Sequence, residues 1–221
     1  MAVFLMTTVR KAIQKIRFLA HDEQETGYDD IVVLQAINDG IDFVGRIIKN
    51  IRPNLLSVEE QGKINAYEKS IVTKNKIAGI LDVRIDGKRL LPTNRMCISD
   101  FSLTSDYVKQ YYMVGFLGIN IYPIPNKEVN YDIQYVPEFE EVSLENDTEL
   151  PFPNDFHKLI IEYANVRLAM TNEFDTTQEM TTIQMITSQV EDMLYAYPDT
   201  QHQIKSYWDN DNDDDCIKGY L

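Results

Sequence analysis

The stretch Leu34-Gln-Ala-Ile-Asn-Asp-Gly-Ile-Asp-Phe-Val-Gly-Arg-Ile-Ile-Lys-Asn-Ile51 sets the first constraint on the fold. Leu34, Ile37, Ile41, Val44, Ile48 and Ile51 recur at alternating steps of three and four, so a helix gathers all six on one seam. Gly40 and Gly45 each weaken such a helix by about 1 kcal/mol relative to Ala. Tertiary packing must therefore hold it, and close approach of a neighbouring helix is the expected reason for both glycines. Pro53 ends the run because it cannot donate a helical hydrogen bond.

Working outward, Asp22 to Asp29 is a polar linker containing Gly27, and Asp29 or Asp30 is suited to accept the first free N–H groups of the helix. Before it, Thr8 to Ala20 reads as an amphipathic helix with Val9, Ala12, Ile13, Ile16, Leu19 and Ala20 on one stripe. Arg10, Lys11, Gln14, Lys15 and Arg17 fill the other face, which either meets water or docks on something acidic. On the C-terminal side, Ser57-Val-Glu-Glu60 has capping-box spacing and predicts a short helix to about Ala66.

From about residue 70 to 136 the composition turns β-branched and aromatic, with Asp86-Gly87 at a hairpin turn and Pro92, Pro123 and Pro125 at strand ends. Tyr112, Val114 and Phe116 alternate, as do Val129, Tyr131, Ile133 and Tyr135. The two runs are expected to form an antiparallel pair or small sheet. Pro137 to Pro153 holds six acids and no base and reads as an irregular connector. Two helices follow. Asn154 to Thr171 is expected to bury Phe156, Leu159, Ile160, Tyr163, Val166 and Met170. The second, opened by Thr176 and Glu179 in capping-box register, is expected to bury Ile183, Ile186, Val190, Leu194 and Tyr197 before Pro198.

The fold class is therefore α+β. Residues 1–66 supply the N-terminal helices of a bundle, 67–137 an inserted antiparallel β-hairpin region, 138–153 the acidic connector, 154–198 the C-terminal helices, and 199–221 an extended acidic tail. The seams Leu34 to Ile51 and Phe156 to Met170 should pack the subunit.

At 221 residues with 44% apolar and 25% charged residues, the chain is long enough for a substantial core. Ala2 to Met6 is far shorter than the roughly 20 apolar residues of a membrane span, and shorter than a signal-peptide core. The net charge of −14 is uneven: residues 1–137 hold 17 basic and 16 acidic residues, and residues 138–221 hold 4 and 19. So negative a half repels phosphate, which disfavours nucleic-acid readout but suits a surface that DNA slides past.

Little points to catalysis or a cofactor, and none is expected. His21, His157 and His202 have no metal-ligand spacing, and His157 is expected in a surface or capping role in a first helical turn. Cys97 reads as a buried, inert thiol, and with Cys216 it makes no zinc or disulfide framework. Gly115-Phe-Leu-Gly118 is too apolar for a phosphate cradle and fits a bulge or a close backbone approach. Asp209, Asp211 and Asp213 begin like a calcium loop, but Asp214 stands where Gly is needed and Tyr220 where a bidentate Glu is needed. Weak divalent-cation binding and a solvated tail both fit.

Leu90 to Asp175 resembles the head-to-tail adaptor (connector) proteins of short-tailed bacteriophages. The resemblance rests on Leu91-Pro92 after the Asp86-Gly87 turn, Tyr112-Met-Val-Gly-Phe-Leu-Gly-Ile-Asn-Ile-Tyr-Pro-Ile-Pro125, Ile133-Gln-Tyr-Val-Pro137 and Glu149-Leu-Pro151. It continues through Pro153-Asn-Asp-Phe-His-Lys-Leu-Ile-Ile-Glu-Tyr-Ala-Asn-Val-Arg-Leu168, and Ile31 to Ile51 fits the family's opening helix. It implies a structural virion protein, usually a ring of twelve copies below the portal, that extends the DNA channel and carries the next tail ring or nozzle protein. Host cytoplasm during assembly and the portal–tail interface of the virion are the implied locations, with no membrane.

In that frame Arg10, Lys11, Lys15, Arg17, Tyr207, Trp208, Ile217, Tyr220 and Leu221 are candidate contacts to partner rings. Asp209, Asp211, Asp213, Asp214 and Asp215 are candidate acidic residues of a channel or rim past which genomic DNA moves unbound. Two other classes fit the charge pattern: an acidic protein-binding or DNA-mimic module, and a metal-dependent hydrolase built from converging carboxylates.

Overall fold

Thr8 opens the first helix by accepting a hydrogen bond from the Lys11 N–H, giving α1 over Val9–Leu19. The computed structural model describes residues 7–22, 24, 27–98, 100–145, 147–171 and 176–197. Val9, Ala12, Ile13 and Ile16 are buried as the stripe requires, whereas Leu19 is exposed. Arg17 is a correction to the solvated face. It is 6% exposed, donates to Asp22 Oδ2 at 2.8 Å and Asp30 Oδ1 at 2.6 Å, and also reaches the Tyr28 carbonyl. Asp22 in turn accepts from the Gly27 and Tyr28 N–H groups, so one guanidinium and one carboxylate fold the linker between α1 and the next helix.

That helix, α2, spans Asp30–Ile51 and buries Val33, Ala36, Ile37, Gly40, Ile41, Val44, Gly45 and Ile48. Leu34 and Ile51 stand half-buried at the seam's edges. Asp29 makes no side-chain cap, and the Asp30 carboxylate is taken by Arg17 instead. A Cβ at Gly40 would lie 2.9 Å from the Ile160 carbonyl oxygen, so close helix packing explains this glycine. Gly45 has a different reason, because a Cβ there would meet the rings of Phe139 and Phe152 at 2.8 and 3.2 Å.

The partner helix α3 covers Asn154–Met170 and packs against α1, α2 and α4 (Thr177–Ala196). Its central position explains why it buries more than one stripe. Phe156, Leu159 and Ile160 are buried as expected, joined by His157, Ile161, Ala164 and Leu168, while Tyr163, Val166 and Met170 are only half-buried. Tyr163 stacks on Phe43 at 4.4 Å, and burial pushes its phenol pKa up. In α4, Ile186, Val190 and Leu194 are buried, and Thr176 makes no side-chain cap, so the predicted capping box does not form.

A turn of 3-10 helix at Pro53–Leu56 leads into strand β1, Val58–Ile64. This corrects the predicted helix to Ala66. Val58, Glu60, Gly62 and Ile64 are the more buried set along β1, and the whole strand pairs with β10, Val129–Pro137. Between them run β2 (Ser70–Val72), β3 (Ile77–Ile85), β4 (Lys88–Arg89), β5 (Leu91–Pro92), β6 (Thr104–Ser105), β7 (Gln110–Met113), β8 (Gly118–Tyr122) and β9 (Ile124–Pro125). One sheet has the order β1-β10-β3-β4 and is antiparallel throughout. A second has the order β2-β8-β7-β5, antiparallel except for the parallel β5–β7 pair, and β6 pairs parallel with β9.

The Tyr112 run and the Val129 run therefore sit in different sheets and do not pair, contrary to expectation. β7 takes β8 as its neighbour through the short 113–118 turn, while the pleat of β10 is used on both edges by β1 and β3. The sheets share one buried cluster that includes Ile71, Val83, Ile119, Ile121, Val129, Ile133 and Tyr135. Asp86 and Gly87 both have positive φ, as a two-residue hairpin turn requires, and join β3 to β4. Gly118 permits close approach, since a Cβ would stand 2.8 Å from the Ile71 carbonyl oxygen.

The acidic connector from Glu138 is irregular, as expected, and is pinned at both ends. Asn38 of α2 brackets Val142, accepting from its N–H at 2.9 Å and donating to its carbonyl at 3.2 Å. Farther on, Val9 N–H donates to Thr148 O and Leu150 N–H to Thr7 O, a two-bond clasp that brings the start of α1 beside the start of α3. Lys49 ties bundle to sheet by donating to the Ala78 carbonyl at 2.7 Å.

Candidate docking surfaces

The clasp between Thr7–Val9 and Thr148–Leu150 creates a groove of about 540 Å³ between α1 and the first turns of α3. Lys11, Lys15 and Lys158 line its walls, and Phe18, Leu19 and Ile161 supply apolar surface. Phe18 is 64% exposed, which is unusual for an aromatic side chain on an otherwise well-packed helix. Lys158 lies 3.4 Å from Glu162 one turn on, and that exposed pair contributes little by itself. Of the α1 residues picked out as partner contacts, Lys11 and Lys15 border this groove, Arg10 is exposed beside it, and Arg17 is turned inward to Asp22 and Asp30.

His157 also lines the groove, and it is a correction to the expected surface role: it is 3% exposed. Its Nε2 lies 3.1, 3.2 and 2.9 Å from the carbonyl oxygens of Leu150, Pro151 and Phe152, so Nε2 carries the proton and donates. Nδ1 is left as a buried acceptor with no hydrogen-bond partner, and so is Oδ1 of neighbouring Asn154. No periodicity argument could have found this, because His157 faces the connector and not the expected stripe.

A second surface lies on the β unit. Val72, Met113, Val114, Phe116 and Leu117 are all exposed around the β7–β8 turn, with Val72 at 70% and Phe116 at 73%. The turn is rigidly held, since Thr73 N–H donates to Leu117 O and Ile77 N–H to Phe116 O. Elsewhere on the β unit, Cys97 is exposed after Arg95 and Met96, which corrects the buried thiol expected from its apolar neighbours. The Met-Cys-Ile run forms a 3-10 turn outside both sheets, and only Ile98 reaches the interior.

The polar face of the β1-β10-β3-β4 sheet gathers Glu59, Asp82, Arg84, Arg89 and Asp132. Asp82 pairs with Arg84 at 2.7 Å and Arg89 at 3.0 Å. Partial burial, then the adjacent Glu59 charge, raises the Asp132 carboxyl pKa, while Arg84 opposes the shift. This is a salt-bridged sheet face, with no nucleophile and base in contact. Glu60 accepts a hydrogen bond from the Tyr135 hydroxyl and pins the β2–β3 turn through the Lys74 N–H. Among the described residues no group of three or more His, Cys, Asp and Glu is arranged to hold a metal ion, and no helix is long and apolar enough to cross a membrane.

Tyr207, Trp208, Ile217, Tyr220, Leu221 and the acidic set Asp209, Asp211, Asp213, Asp214 and Asp215 lie outside the described residues, as do Pro198 and Cys216. The surfaces and the fold define an α+β protein with two apolar surfaces that no other described residue covers, and a charge-paired sheet. No protein-family model matches the chain, and no curated protein sequence is significantly similar to it.

Proposed function

We propose that the chain is a structural virion protein, an adaptor subunit that forms a ring, of twelve copies as the resemblance implies, between portal and tail. The observation that carries this reading is the ordered series of hydrophobic, Pro and Tyr positions from Leu91 to Leu168. Its blocks fall on β5, the β7-β8-β9 run, β10 and α3, with Glu149-Leu-Pro151 in the connector before α3. Exposed apolar surface at the β7–β8 turn and along the α1–α3 groove supports it, because a ring subunit must meet both its own copies and two different neighbours. The acid excess of residues 138–221 supports it as well: a negative channel or rim lets genomic DNA pass without sticking. No catalytic step belongs to this role.

The test is quantitative mass spectrometry of gradient-purified virus particles from the source. A copy number near that of the portal protein is the expected outcome, and absence of the chain from particles overturns the reading. A second reading, an acidic module that captures basic proteins or mimics DNA, is favoured by the 19 acids against 4 bases after residue 137. It requires salt-sensitive binding to a basic partner that is lost when Asp209 to Asp215 is replaced by Asn and Ser.

A further inference from the structure

We propose that the groove between α1 and α3 is the seat of the chain's own C-terminal segment, with Tyr207-Trp208 on its apolar surface and Asp209 to Asp215 along its lysines. The inference stands apart from the adaptor reading, since it concerns one subunit. Four observations converge on it.

The last described residue, Tyr197, stacks on Phe156 with ring centroids 6.1 Å apart, and Phe156 is the immediate neighbour of His157 in the first turn of α3. The described chain therefore ends at the first turn of α3, the turn whose Asn154, His157 and Lys158 line the groove on another face. Trp208 is eleven residues farther on, a reach of up to about 36 Å if extended. The groove is basic and apolar together: Lys11, Lys15 and Lys158 stand against one acid, Glu162, which pairs with Lys158, and Phe18 and Leu19 are the exposed apolar side chains. The segment is acidic and aromatic together, with five Asp between 209 and 215 directly after Tyr207-Trp208. The groove and the segment thus match both in charge and in apolar character.

The fourth observation is the buried pair of acceptors. His157 and Asn154 line the groove, and Nδ1 of the first and Oδ1 of the second are buried without a hydrogen-bond partner, which is costly for an acceptor. A Trp indole N–H is a donor with no acceptor function, and a Tyr hydroxyl donates as well, so the segment brings the groups that the groove lacks. Tethering adds to this, because covalent linkage through a short connection holds a segment at an effective concentration on the order of millimolar. In the adaptor frame, the seated segment would cover Lys11 and Lys15 until a partner ring displaced it.

Trp208 is the single tryptophan of the chain, so fluorescence of the intact protein excited at the red edge, where its 13 tyrosines do not absorb, reads the segment alone. The expected result at low salt is a blue-shifted emission maximum with weak acrylamide quenching, unchanged on dilution. Lys11→Glu combined with Lys15→Glu, and separately Phe18→Ser, should each shift emission to that of exposed tryptophan while far-UV circular dichroism and melting stay as in the parent. High salt should move the parent in the same direction as the charge reversal, because the lysines are solvent-exposed and screened. Exposed Trp208 in the parent overturns the proposal and leaves residues 1–6, contiguous with Thr7 at the groove's rim, as the alternative cover. Protection that survives both groove variants overturns it too, by putting the segment elsewhere. Protection that fades on dilution assigns the groove to the segment of a second copy and overturns the intramolecular form.

Discussion

Arg17 shows what a single residue can hide from a pattern. In sequence it completes a row of basic residues on the outer face of α1, yet its guanidinium reaches past the helix end to Asp22, Asp30 and the Tyr28 carbonyl. Helical periodicity assigns a face to the Cα, and a long side chain can leave that face for a buried carboxylate several residues on. Replacing Arg17 by Met keeps much of the stem but leaves Asp22 buried without its cation, which should cost about 3 kcal/mol of unfolding free energy in urea melts. Arg17→Lys should recover only part of this, because one ammonium cannot copy the fork that spans two carboxylates and a carbonyl. Equal stability of the Met variant would mean that the clamp contributes no net stability. His157 and Cys97 depart from the sequence pattern for a related reason: their environments are set by the connector and by a 3-10 turn, neither of which has a period.

At the scale of elements, the four helices were legible because each repeats apolar residues at a spacing that only a helix can use, and β10 was legible from strict alternation. β1 was not. Ser57-x-x-Glu60 is a local signature for a helix start, but Val58, Glu60, Gly62 and Ile64 also alternate, and pairing with β10 some seventy residues away decides between the two. No local signal contains that partner, and the same holds for the division of the β strands into two sheets. The glycines of α2 separate two kinds of close packing. Gly40→Ala sets a Cβ against the Ile160 backbone oxygen at 2.9 Å, which only a shift of α3 relieves. We expect it to destabilise by about 1–3 kcal/mol despite the better helix propensity of Ala. Gly45→Ala meets mainly the Phe139 ring, a side chain of the connector that can turn aside, so its cost should be clearly smaller. Urea midpoints of the two variants give the comparison, and equal losses would refute the distinction.

For the whole molecule, the question is which surfaces a subunit keeps for its neighbours. Of the two apolar surfaces, the α1–α3 groove has a matching segment within the same chain, and the β7–β8 turn has none among the described residues. The turn is also firmly built, fixed by backbone bonds from Thr73 and Ile77, so its exposed Phe116 is displayed and not merely loose. A surface of this kind fits subunit association better than folding, which gives it a separable signature. The double variant Val72→Ser, Phe116→Ser removes two side chains that are 70% and 73% exposed and should change unfolding free energy by no more than about 0.5 kcal/mol. In the adaptor reading the same variant should be depleted from assembled particles, measured as its copy number relative to the portal protein. Normal incorporation at normal stability would exclude the turn from every ring contact and leave the α1–α3 side of the bundle as the surface through which the subunit assembles.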